Sequence, residues 1–384
     1  MFNSRIIEKF KKLPTPFYYY DLGVLEENLK VLKKNSAAPG YHIHYALKAN
    51  AEERILRLIS SYGFGADCVS GNEVKKALET GFSADDIVFA GVGKTDKEIL
   101  SALQSNILSL NCESIQELEV INQLAVGAGK IAPVALRIKP DLDANTHRYI
   151  TTGTEENKFG IGLEELEEAL QLINRMSHLR LTGMHLHIGS QITDFKVFEK
   201  LTVTVNELQK WFADRGVKIV HLNLGGGLGV DYENPDQNLI PDYKTYFNIF
   251  KRKLILFPGQ IVHFELGRSI VAQCGSLISR VLYIKKGERN QFAILDAGMT
   301  ELIRPALYNA SHKIENLASS GQPQKYDVVG PVCESADFFG KGVELSETRR
   351  GDLIAIRSTG AYAAVMATRY NMCDPAGVVF SDMI

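Results

Sequence analysis

The sequence predicts an α/β chain, a (β/α)8 TIM-type barrel joined to a separate C-terminal β domain, and two observations carry that reading. From residue 41 to about 266, short apolar, β-rich runs alternate with longer amphipathic stretches. Eight such alternations over roughly 250 residues are the pattern of a parallel barrel. After residue 270 the runs "GSLISRVLYIKKGERNQFAILDAGM", "KYDVVGPVCES" and "GDLIAIRSTGAYAAVM" are strand and turn patterns with little helix between them. The expected boundaries are 25–270 for the barrel, and 1–24 with 271–384 for the β domain. The early run "PFYYYD" is placed with the latter because it precedes the first barrel strand.

In chain order, the barrel strands are expected at "HIHYAL", "GADCVS", "DIVFAG", "ILSLNC", "VALRIKP", "LTGMHLHI", "IVHLNL" and "IVHFEL". In the first, Tyr41, Ile43, Tyr45 and Leu47 alternate with His42, His44 and Ala46, and Lys48 follows at the rim. Between strands lie helical patterns such as "GNEVKKALETG", where Val74, Ala77 and Leu78 share a face and Gly81 ends the helix.

The 384 residues are 45% hydrophobic and 23% charged with formal net charge -2, an ordinary globular composition long enough for two domains. Near-neutral charge gives no electrostatic case for nucleic acid or an anionic membrane. No run approaches the ~20 apolar residues of a membrane helix, and "MFNSRIIEKFKKLPTP" lacks a signal peptide's apolar core. Cys68, Cys112, Cys274, Cys333 and Cys373 form no C-x-x-C pair, so neither a zinc site nor a disulfide framework is expected. The expected compartment is the reducing cytoplasm.

A barrel makes a specific demand: chemistry sits at the C-terminal ends of the strands, and phosphate sites favour the loops after the seventh and eighth. Those ends carry Lys48, Asp67, Gly91, Asn111, Arg137, then His187 with Ser190, then Gly225, Gly226 and Gly227, then "ELGR" at 265–268. The glycines of "NLGGGLG" let backbone N–H groups approach a phosphate, and their spacing does not fit the dinucleotide fingerprint. "GVGKT" at 91–95 is not a P-loop, because the position five before Gly93 is Val88. His185 and His187 share a strand face, as metal ligands do, but no third ligand at suitable spacing is evident and no metal is expected. Glu265 and Arg268 could simply pair; with a phosphorylated heterocycle at the barrel mouth, Glu265 can instead hold a ring nitrogen protonated. An amine for an aldehyde, a phosphate cradle, a histidine suited to stacking and a carboxylate for a pyridinium together describe pyridoxal 5'-phosphate.

The segments "YALKAN", "HIGSQ", "GGGLG", "ELGRS", "IRPALY", "GPVCES" and "TGAYAAVMA" resemble the diaminopimelate decarboxylases, of the alanine-racemase-like barrel decarboxylases. "YITTGTEENKFGI" at 149–161 resembles that family more than the ornithine or carboxynorspermidine decarboxylases. The resemblance implies decarboxylation of meso-2,6-diaminopimelate to L-lysine, the last step of lysine biosynthesis. It implies that Lys48 binds the cofactor's aldehyde, His187 stacks on its ring and Glu265 pairs with the ring nitrogen. Ser190, Gly225, Gly226, Gly227, Gly267, Arg268 and Tyr362 would surround the phosphate, with Asp67 counted among the cofactor contacts. Arg268, Arg304 and Tyr308 would grip the substrate's distal carboxylate, with Tyr362 also at the substrate. Cys333, as proton donor, and Glu334, on the distal ammonium, would enter from the partner of a homodimer. Leu266 stands where the family usually has proline, which removes a rigid φ, and the tail "RYNMCDPAGVVFSDMI" fits the family less closely. The rivals are a barrel decarboxylase acting on ornithine, arginine or carboxynorspermidine, or a non-catalytic regulatory homologue.

Overall fold

The computed structural model describes residues 2–140 and 158–384; the 149–157 portion of the 149–161 motif lies outside them. The chain divides into two compact units. One comprises Leu29–Gly229 and Asp242–Gly267, and the other Met1–Asn28, Val230–Pro241 and Arg268–Ile384.

The first unit is a closed parallel barrel. With β1 (Phe17–Tyr20) assigned to the other unit, its strands are β2 (His42–Ala46), β3 (Gly65–Cys68), β4 (Ile87–Phe89), β5 (Ser109–Cys112), β6 (Ala132–Arg137), β7 (Leu179–His185), β8 (His221–Asn223) and β9 (Ile261–Leu266). Each expected apolar run contributes one strand, in order, and β9 closes on β2 with His44 opposite Glu265. Several runs end earlier than their apolar pattern. The stretch after Ala46 becomes a 3-10 turn, Leu47–Ala49, so Lys48 sits on a turn rather than a strand. β7 stops at His185, leaving His187 in the loop beyond it.

Local chemistry explains the helices around the barrel. Helix Gly71–Glu79 starts where the Ser70 hydroxyl accepts from the Glu73 amide, and buries Val74 and Ala77; Leu78 is half-buried. Gly81 follows with φ +97°, a left-handed conformation that glycine adopts without strain. Thr95 and Glu98 form a reciprocal capping box on helix Asp96–Ser105. Helix Tyr243–Lys253 buries Tyr246, Phe247 and Phe250, whose rings meet Phe264 of β9 at centroid distances of 5.6, 5.1 and 4.9 Å. Such packing fixes β9, and with it Glu265, from behind.

The barrel interior below the mouth is a column of imidazoles. His44 Nδ1 donates to the Asp86 carbonyl (3.0 Å), leaving Nε2 to accept from His263 Nδ1 (2.8 Å), whose Nε2 accepts from His221 Nδ1 (2.9 Å). The backbone carbonyl at one end dictates the tautomer of every ring in the chain. Burial, foremost, holds all three imidazoles below their usual range, so the column is neutral.

The second unit is a mostly antiparallel sheet of β1, β10 (Gly275–Lys286), β11 (Gln291–Leu295), β12 (Ile314–Asn316), β13 (Pro323–Val329), β14 (Phe338–Ser346), β15 (Leu353–Arg357) and β16 (Gly377–Phe380). β10 is its spine. Its first half pairs with β1 and β15, a register shift follows between Val281 and Tyr283, and its second half pairs with β11. The divergent tail supplies β16, which adds to β1 in parallel. Phe10, Phe17, Tyr19, Ile278, Leu353 and Ala355 form a buried cluster under this sheet. Among the described residues no helix is long and apolar enough to cross a membrane.

Candidate active site

Four strand ends of the barrel bring the ionisable residues together. Lys48 Nζ donates to Asp67 Oδ2 at 2.8 Å, and register explains the meeting, since Ala46 lies opposite Asp67. The Lys48 side chain is 35% exposed and that of Asp67 fully buried, so the amine faces the opening while its partner anchors it. Gly267 packs against the same turn. A Cβ there would lie 3.0 Å from the Cβ atoms of both Ala46 and Ala49, and any larger residue would push the Lys48 turn away. Leu266 is buried and in register with Tyr45.

Glu265 is the most constrained group. Its Oε1 accepts from Asn223 Nδ2 at 2.7 Å and Asn111 Nδ2 at 3.4 Å, and its Oε2 meets His185 Nε2 at 3.0 Å. A carboxylate has about four lone-pair sites; three are used, and the fourth lies on Oε2. Burial alone would raise the Glu265 carboxyl, but His185 and Lys48 hold it well below the usual carboxylate range. Asp67 goes the other way. Burial and the Glu265 charge push its carboxyl up against the pull of Lys48. Two carboxyls driven apart mark a site where one must stay ionised; that one is Glu265.

His187 lies past β7, and its Nδ1 accepts from the Gly226 amide at 3.3 Å. Burial, then the charges of Arg137 and Lys48, hold its imidazole well below the usual range; it presents a neutral ring. The three glycines have a reason of their own. A Cβ at Gly225 would strike the Leu186 carbonyl, one at Gly226 the Glu265 carbonyl, and one at Gly227 would lie 2.6 Å from the Gly189 carbonyl. The Gly225 amide donates to Asn223 Oδ1 at 3.0 Å. The glycine loop is also tied to the loop carrying Ser190, through Ile192 N to Gly227 O (2.8 Å) and Gly229 N to Ile192 O (3.0 Å). Strand-end packing therefore demands all three glycines, where a simple turn would need one.

Glu113 lies at the end of β5 and joins three loops. It accepts from Arg137 Nη1 (2.6 Å) and the Gly91 amide (3.0 Å) on Oε1, and from the Gly160 amide (3.0 Å) on Oε2. The Arg137 guanidinium also lies over the Phe159 ring at 4.7 Å. The Lys94 side chain of "GVGKT" is buried and bonded to Glu117 and to the Gly91 and Asn111 carbonyls, a structural role.

In the sheet unit, Arg268 and Arg304 are buried about Tyr232. Arg268 Nη1 donates to the Tyr232 hydroxyl at 2.6 Å, and the Arg304 guanidinium lies 4.6 Å over the Tyr232 ring. Tyr362, in a left-handed conformation (φ +57°), places its ring 4.7 Å from the Arg268 guanidinium. Tyr308 is half-buried at the end of the short helix Arg304–Tyr308. Cys333 and Glu334 are exposed on a loop, with Glu334 Oε1 accepting from the Tyr370 hydroxyl at 2.8 Å.

Sequence pattern assigns no role to His185, Asn223, Asn111, Glu113 or Arg137. Asn111 and Arg137 are visible as strand-end residues. His185 is visible as one of a histidine pair and Asn223 as a polar position inside an apolar run, and the inward parity they share with Glu265 is the available signal.

The sequence and fold match known proteins closely. Residues 22–272 match the family model "Pyridoxal-dependent decarboxylase, pyridoxal binding domain". The chain is 51% identical over 380 residues to diaminopimelate decarboxylase of Bacteroides thetaiotaomicron, covering 98% of each chain. It is 41% identical over 359 residues to the Haemophilus influenzae enzyme of the same name, covering 93% of this chain and 86% of that one. The crystal structure of Helicobacter pylori diaminopimelate decarboxylase complexed with L-lysine superposes with a TM-score of 0.90. That pair is 40% identical, covering 95% of this chain and 91% of the other.

Proposed function

The chain belongs to the pyridoxal-dependent decarboxylases and, within them, to the diaminopimelate decarboxylases, and from that premise we propose how its own residues carry the reaction. The enzyme converts meso-2,6-diaminopimelate to L-lysine with pyridoxal 5'-phosphate. The barrel mouth fits that cofactor. Asp67 Oδ1 and His185 Nδ1 are buried polar atoms with no hydrogen bond among the described residues, beside an amine that faces the opening. When bound, the cofactor supplies an electron-accepting ring that takes up the electron pair left by the departing carboxylate.

The observation that carries the assignment is the pairing of Lys48 with Asp67 next to an ionised, buried Glu265. Lys48, its amine facing the opening, would hold the cofactor by its aldehyde. Glu265 would hold a proton on the ring nitrogen, its carboxylate's plane being fixed by His185 and Asn223. His187, held neutral, would stack on the ring without adding a positive charge that competes with Glu265. Asp67 would contact the cofactor beside Lys48, and Ser190, Gly225, Gly226, Gly227, Gly267, Arg268 and Tyr362 would receive its phosphate. Arg268, Arg304, Tyr308 and Tyr362 bind substrate, the two guanidiniums taking the distal carboxylate.

The enzyme works as a cytoplasmic homodimer in this reading. Cys333 and Glu334 act in the partner subunit's site, Cys333 donating the proton that replaces carbon dioxide and Glu334 holding the distal ammonium. Their exposure in the single chain supports this, since a loop serving its own subunit's core would be covered.

Borohydride trapping tests the cofactor assignment. Reduction of the loaded enzyme, proteolysis and mass spectrometry should find the pyridoxyl label on Lys48. A label on Lys94 or Lys139 overturns the site.

A further inference from the structure

We propose that His312 is a positioning residue for substrate selection, holding Arg304 in the orientation that receives the distal carboxylate. The inference rests on the reading of Arg304 as a carboxylate-binding residue and extends it to a buried side chain bonded to it.

The hydrogen bonds leave His312 one protonation state. Its Nδ1 donates to the Arg357 carbonyl at 2.8 Å, because a carbonyl only accepts. Nε2 must then carry the lone pair, and it accepts from Arg304 Nη1 at 2.8 Å. An imidazolium could not accept that bond. Burial, then the charges of Arg304 and Arg268, hold the ring at a pKa of about 3, so the accepting state persists through the working pH range.

The frame around the ring is rigid. Asn309, with φ +52°, ends the helix Arg304–Tyr308 and turns the chain back so that His312 returns to Arg304. The next residue is tied on both sides, Lys313 N to Tyr232 O at 3.1 Å and Arg357 N to Lys313 O at 2.9 Å. The Tyr232 ring meets His312 edge-on at 4.8 Å and lies 4.6 Å from the Arg304 guanidinium. One face of the guanidinium is thus stacked and one edge is held by a neutral acceptor. A carboxylate in that place would neutralise Arg304; an imidazole fixes its direction and leaves the charge for the substrate.

The test compares His312→Leu, His312→Asn and His312→Gln with Arg304→Ala, each assayed for kcat and KM on diaminopimelate and for thermal midpoint. Leucine removes both partners. Asparagine keeps a polar group for Arg357 but falls short of Arg304, and serves where leucine does not fold. Glutamine offers an acceptor and a donor at nearly the imidazole's span. A hydrogen bond to a charged group contributes enough for KM to rise roughly ten- to hundredfold in His312→Leu and His312→Asn. We expect kcat little changed in both, and His312→Gln to restore most of the loss. A purely structural histidine would lower the midpoint in step with activity and leave KM alone. Wild-type KM in the Leu or Asn variants, alongside a raised KM in Arg304→Ala, overturns the role of His312. Wild-type KM in Arg304→Ala overturns the carboxylate reading beneath it.

Discussion

Replacing Glu265 with glutamine isolates the electronic role of the carboxylate, because the structure shows which of its bonds would survive. The glutamine carbonyl can still accept from Asn223, now 2.7 Å from Oε1. Its amide would face His185 Nε2, now 3.0 Å from Oε2, which can accept from that amide when the ring carries its proton on Nδ1. The fold and the phosphate contacts should therefore hold. What disappears is the buried negative charge that keeps the ring nitrogen protonated. Removing one member of a buried charged pair costs about 3–5 kcal/mol, and roughly 1.4 kcal/mol is tenfold in rate. The variant's kcat should fall roughly a hundredfold to a few thousandfold, with cofactor content little changed. Carbon dioxide release gives kcat, and absorbance of the bound cofactor gives occupancy. Equal loss of both would make Glu265 a structural partner of His185 and Asn223. A kcat within roughly tenfold of wild type at full occupancy would remove the charge from the mechanism altogether.

Subunit mixing and acid titration test two other parts of the molecule. Mixing Lys48→Ala and Cys333→Ala subunits should restore one intact site per mixed dimer, so activity recovered after subunit exchange supports a shared site and none recovered refutes it. His312 should make the enzyme sensitive to acid: its folded pKa is about 3 against about 6.5 when unfolded, so below about pH 6.5 only the unfolded chain takes the proton. Stability from this group is full above that pH and is lost as pH falls towards 3, by about 2 kcal/mol at pH 5. His312→Gln should lose less stability than wild type between about pH 7 and pH 5; equal losses by denaturant titration would refute the neutral assignment.

The barrel was legible because its strands are buried on both faces and read as apolar runs between helical patterns. Strand ends were less so. Apolar alternation continues through Leu47 and Ile188, yet the pairing stops at Ala46 and His185, since register with a neighbour sets a strand's length. Lys48, His187 and Glu265 stood out as ionisable groups at a predicted rim. Asn223 and His312 did not, because their partners lie 42 and 8 residues away and no local spacing encodes such meetings; His185 shows in the sequence as a pair with His187, not as the partner of Glu265, 80 residues on. In the sequence the glycines at 225–227 point to a phosphate or a tight turn; the carbonyls of Leu186, Gly189 and Glu265 that crowd them come from other strand ends. Val230–Pro241 belongs to the sheet unit although it lies in the chain between β8 and β9. It is fixed there by Asp236, paired with Lys313 at 2.9 Å and Arg357 at 3.0 Å, contacts that a turn-rich segment does not advertise.

A barrel that decarboxylates a substrate carrying a carboxylate and an ammonium at its far end should show that preference directly. The measurement is carbon dioxide release and amine product from meso-diaminopimelate, ornithine, arginine and carboxynorspermidine in turn, with cofactor-loaded enzyme at equal concentration. One carbon dioxide and one L-lysine should appear per diaminopimelate consumed. Ornithine and arginine lack the distal carboxylate, leave buried guanidinium charge unmatched, and should be disfavoured roughly a hundredfold to a few thousandfold in kcat/KM. Comparable turnover of ornithine or arginine, or no turnover of diaminopimelate by fully loaded enzyme, would contradict it.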